Sequence, residues 1–97
     1  MDEVSSELLE AMERRRTVIG HYLVGVSDVL PTPEDNYEIE ADSVLSQTMP
    51  VLLKIEIEQR LKGEMLTKEQ RRLLLTTLDT IDERTQLLNA GFKKQLH

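Results

Sequence analysis

The chain has no cysteine and no tryptophan, a single phenylalanine, and an aromatic content of 3% over 97 residues. Without cysteine, disulfide staples and thiolate metal sites are excluded, and redox compartment places no constraint on the fold. With so few aromatic rings, any core must come from Leu, Ile, Val and Met, the mixture that helix–helix packing uses. No run of about 18 apolar residues occurs, so no segment reads as a membrane-spanning helix. The first residues, Met1-Asp2-Glu3, are acidic and no apolar stretch follows, unlike a secretory leader. These features predict a soluble protein of the cytoplasm or nucleus.

Catalytic signatures are missing too. The sequence has no HExxH, Walker, GxSxG or GxGxxG pattern. A calcium loop opening at Asp35 fails, because Glu40 and Ser46 stand where Gly and Glu are required. Asp79, Asp82 and Glu83 lack the Glu-x-x-His companion of a di-iron bundle. His21 and His97 have no neighbouring partner in sequence. The expectation is a non-enzyme with no cofactor and no metal.

What the chain does have is helical spacing. Leu8, Met12, Arg15, Ile19, Tyr22, Val26 and Val29 recur at intervals of three and four, as do Arg71, Leu74, Leu78, Ile81, Thr85, Leu88 and Phe92. Residues spaced this way line one side of a helix and require a partner to cover them. Each seam carries one polar interruption. Arg15 and Thr85 either fix register as buried polar groups, or escape burial, Arg15 along its stem and Thr85 by bonding its own backbone.

Boundary residues divide the chain into three helices. Ser5 or Ser6 suits a cap for a first helix spanning about 4–30, stopped by Pro31 and Pro33. Gly20 and Gly25 lie within it, as points of close approach or as tolerated weak spots. Residues 31–43 are acidic and rich in turn formers, and are assigned to a linker. A second helix is expected over about 48–62, with Pro50 in its first turn and Gly63 as its stop. Leu53-Lys54-Ile55-Glu56-Ile57-Glu58 also has strand alternation, but the strong helix formers that follow favour helix. Thr67-Lys68-Glu69-Gln70 is a capping box opening a third helix over about 67–90, with Gly91 as its stop, although Phe92 and Leu96 hint at another turn. The fold expected is all-α: residues 1–97 as one small three-helix bundle, made of a helix, an acidic linker and a helical hairpin.

Apolar residues exceed what one seam per helix needs. Leu9, Val18, Leu23, Leu30, Leu73, Leu75 and Leu87 lie off the main lines, so a second copy or a partner chain is expected to complete the bundle. The residues assigned to that interface are Leu74, Leu78, Ile81, Leu88, Ile19, Tyr22 and Val26. A basic cluster of Arg60, Lys62, Lys68, Arg71 and Arg72 gathers at the second turn and would orient an acidic partner.

The net charge of −6 is unevenly spread: residues 1–48 carry −8 and residues 49–97 carry +2. Nucleic-acid or anionic-membrane binding is therefore not favoured. The leading expectation is a protein-interaction module, such as an adaptor, assembly factor, small regulator or complex subunit. The alternative is an acidic decoy whose N-terminal half blocks a basic nucleic-acid-binding surface on another protein.

Overall fold

A computed structural model of the chain describes residues 5–63 and 65–95, with side chains through Phe92. Three helices follow in order: α1 (Ser6–Leu23), α2 (Asn36–Gly63) and α3 (Lys68–Gln95), with no strand among the described residues. The protein is an all-α bundle, and residues 53–58 are helical within α2.

Local chemistry sets each boundary. Ser5 caps α1, its hydroxyl accepting from the Leu8 N–H at 3.2 Å. The helix ends at Leu23 rather than near residue 30, because Gly25 takes a φ of +85° that L side chains rarely adopt. There the N–H groups of Val26 and Ser27 turn back to the His21 carbonyl, at 2.9 and 3.0 Å. Apolar spacing continues through Val26 and Val29, but the backbone does not, and both side chains lie exposed.

The expected acidic linker is half helix. Asp35 caps α2, its carboxylate accepting from the Glu38 N–H at 2.7 Å, while Glu38 accepts from the Glu34 N–H at 2.8 Å. Helix geometry therefore begins at Asn36, and Pro50 falls inside the helix rather than in its first turn. A proline there removes one i→i−4 hydrogen bond, and Pro50 is buried. At α3 the capping box forms as expected. Thr67 Oγ1 accepts from the Gln70 N–H at 3.1 Å, and the Thr67 N–H donates to Gln70 Oε1 at 3.0 Å. Gly91 does not stop this helix; it stays helical under Leu30, whose Cδ2 lies 3.3 Å from where a Cβ would sit.

Contacts fix the topology. Lys54 pairs with Asp82 at 2.6 Å, and the Arg71 guanidinium reaches the Leu61 carbonyl at 3.4 Å, so α2 and α3 form an antiparallel hairpin. Against α2, the α1 contacts advance in the same direction: Arg14 to Glu38, Arg15 to Asp42, Gly20 to Met49. Helices α1 and α2 thus run parallel, and residues 24–35 must carry the chain back. That crossover lies along α3, with Gly25 at Thr80, Ser27 and Asp28 at Arg84, and Leu30 at Gly91.

The core gathers Ile19, Tyr22 and Leu23 of α1 with Leu45 and Leu88, flanked by Met49, Leu53 and Phe92. Helix α1 is 18 residues long against 28 for each hairpin helix, or about 27 Å against about 42 Å at 1.5 Å per residue. It covers only the end of the hairpin away from the turn. The extents of 46 × 31 × 17 Å reflect this uncovered length.

Candidate functional site

Position 15 is where α1 commits to α2. The Arg15 guanidinium forms a two-pronged pair with Asp42, Nε to Oδ1 at 2.8 Å and Nη2 to Oδ2 at 2.6 Å. Asp42 is fully buried and Arg15 is 7% exposed. Of the two expectations for this residue, burial holds and escape along the stem does not, because a carboxylate waits inside the interface. Thr85 takes the local solution, its hydroxyl donating to the Ile81 carbonyl at 2.6 Å. Next to the lock, Arg14 Nε bonds Glu38 at 2.9 Å and its Nη2 stands 3.6 Å from Asp35. The Glu38 carboxyl is held below the usual carboxylate range, first by the Glu34 N–H and then by Arg14. Hydrogen bonding to Asp42 raises Arg15 above its ordinary value, against the opposing effect of burial.

This pairing fixes the register of α1 and opens a groove beside it. A cavity of about 370 Å³ runs between the two helices, with Met12 and Arg16 on the α1 side. Leu45, Met49 and Leu53 line it from α2, as do Val44, Thr48 and Leu52, with Glu56 toward the turn. Gly20 contributes by being small, since Met49 Cε sits 3.1 Å from where a Cβ would be. The apolar surface extends past the groove: Leu52 is 64% exposed, Val51 56%, Ile55 46% and Val44 41%. On one helix these residues recur at 44, 48, 51, 52 and 55, a single stripe that no described element of the chain covers.

The residues assigned from sequence to a partner interface divide three ways. Ile19, Tyr22, Ile81 and Leu88 are buried within the chain itself. Leu74 and Leu78 are half-buried on α3. Val26 is 72% exposed in the crossover, off any helix. The basic residues Arg60, Lys62, Lys68, Arg71 and Arg72, on either side of the hairpin turn, are all exposed. Part of that charge is engaged: Arg71 donates to the Leu61 carbonyl, and Arg72 pairs with Glu69.

Two features escaped the sequence reading. Arg84 pins the crossover, donating to the Ser27 carbonyl at 3.0 Å and the Asp28 carboxylate at 2.8 Å, with its guanidinium 4.6 Å from the Tyr22 ring centroid. The groove itself had one available signal. Val51, Leu52, Leu53, Ile55, Ile57 and Leu61 make a face too broad for a helix covered on one side only. Four acids of the N-terminal half are paired: Glu38 and Asp42, both buried, meet Arg14 and Arg15, while Asp35 and Asp28 meet Arg14 and Arg84 from the surface.

Among the described residues, no group of three or more His, Cys, Asp or Glu side chains is placed to hold a metal ion, and no helix is long and apolar enough to cross a membrane. Compared with known proteins, the chain matches no family model, no curated protein and no solved structure.

Proposed function

We propose that this protein is a non-enzymatic interaction module, an adaptor, assembly factor, regulator or complex subunit. It acts by seating an apolar helix against the outer face of α2. The observation that supports this reading most is the groove between α1 and α2 with its continuation over Val51, Leu52 and Ile55. Contiguous apolar surface of this kind, rimmed by polar residues, marks sites of interaction with a partner or ligand. The leucine-rich faces named from sequence mostly hold the module together, and the docking role moves to the opposite side of α2. The acidic-decoy alternative has less support, because Asp35, Glu38 and Asp42 spend their charge on Arg14 and Arg15.

A photoreactive side chain at Thr48, inside the groove, tests the proposal against one at Asp79 on the exposed face of α3. Irradiation in native extract should give discrete protein adducts from position 48, lost when Leu52→Glu is added, and none from position 79. Equal labelling from both positions, or adducts indifferent to Leu52→Glu, would refute the docking role of this face.

A further inference from the structure

The groove is asymmetric in charge and its α2 side is an apolar helical stripe, and together these properties select an occupant. Arg16 and Glu56 both line it, and among the described residues neither is ion-paired within the chain. Their positions along α2 differ. Arg15 stands level with Asp42 and Gly20 level with Met49, so Arg16 lies toward the Val44 end, while Glu56 lies three turns further on. Between the two charges the α2 stripe carries Val44, Thr48, Val51, Leu52 and Ile55.

A helix laid antiparallel in this groove would complement it if it carried apolar residues through its middle, a cation at one end and an anion at the other. The α2 face of this same chain is such a helix, with Arg16 of α1 beside it. We propose that the occupant is a second copy, related by a two-fold axis passing close to the level of Thr48 and Leu52. In that arrangement Val44 of one copy opposes Ile55 of the other, and Thr48 opposes Leu52. Each Arg16 then meets Glu56 of the second copy, so the contact closes two ion pairs from charges left single in the monomer. A closed, isologous contact of this type uses one surface twice and leaves no free end for further growth. The whole-molecule charge of −6 opposes association, so the contact depends on a locally neutral patch, which one base and one acid per copy supply. The result is a bundle of α1 and α2 from each copy, joined through α2. This inference rests on the docking role of the α2 face and adds the identity of what docks there.

The test is solution mass by light scattering over a wide concentration range, with helicity recorded by circular dichroism. Wild type should form a dimer that dissociates on dilution. Arg16→Glu and Glu56→Arg should each weaken it about tenfold, since two rim pairs become like-charged, with helicity unchanged. An equimolar mixture of the two variants should restore association, because every charge in the mixed dimer again faces its opposite. Leu52→Glu should leave a helical monomer. A wild type that stays monomeric at millimolar concentration overturns the second copy as occupant; adducts at position 48 from another protein would then show the docking face itself intact. Self-association that Arg16→Glu leaves unchanged, or that mixing does not restore, overturns the two-fold arrangement.

Discussion

Replacing Arg15 by Met while Asp42 remains leaves a fully buried carboxylate with no cation beside it. The pair as built is a compromise, since desolvating both groups offsets much of their mutual attraction, but removing one partner keeps the desolvation cost and discards the attraction. For a pair this enclosed, with side chains 9% and 0% exposed, the loss is about 3–5 kcal/mol. Total stability of a domain this size is about 5–15 kcal/mol, and each kcal/mol shifts Tm by roughly 4–8 °C. Arg15→Met should therefore lower Tm by roughly 15 °C or more, and Asp42→Leu should do comparable damage by stranding the guanidinium. The double variant Arg15→Met/Asp42→Leu should recover most of the loss, because apolar groups of similar volume need no partner. Urea unfolding of the four proteins closes the double-mutant cycle, and the expected coupling is about 3 kcal/mol. Single variants within about 0.5 kcal/mol of wild type would refute the reasoning, since they would place the pair in water.

Three further outcomes follow from local geometry. Gly25→Ala should destabilise by about 1–2 kcal/mol in chemical denaturation, because its φ of +85° is left-handed and Thr80 Cγ2 lies 3.3 Å from the new Cβ. Thr67→Ala removes one half of the α3 capping box and should cost about 1 kcal/mol by the same assay, with Thr67→Ser close to neutral. The Glu38 carboxyl is depressed in the folded state, so it adds stability above its ordinary value of 4.5 and loses that contribution as pH falls through its lower folded value. Stability measured from pH 6 down to 2 should fall less steeply in Glu38→Gln than in wild type, and parallel curves would contradict the assignment.

How much of this was legible depended on sequence distance. Thr67 and Gln70 state their hydrogen bonds three residues apart, and the cap forms as read. Asp35 and Glu38 have the same spacing and nearly the same chemistry, yet two prolines and a run of acids made that segment look like a linker. Periodicity failed at Gly25, because Val26 and Val29 keep helical spacing whether or not the backbone is helical; only the left-handed glycine distinguishes the two. Arg15 is the instructive case. Its fate hinged on Asp42, 27 residues on, across a crossover whose course no local pattern encodes. Spacing identified which residues of α3 face inward, but left open whether their cover was α1 and α2 or another molecule. Of the residues that spacing assigned to an interface, Ile19, Tyr22, Ile81 and Leu88 are buried within the chain.

The parallel run of α1 and α2 has a kinetic consequence. The hairpin of α2 and α3 closes through a short turn, whereas α1 meets α2 only after residues 24–35 have travelled back along α3. Local contacts form with little loop-closure cost and distant ones form later. The hairpin should thus be structured in the folding transition state and the Arg15–Asp42 contact largely absent from it. Substitutions at that pair should accelerate unfolding while leaving the folding limb of a chevron nearly in place. The buried pair would then govern how long the folded molecule lasts rather than how fast it is reached.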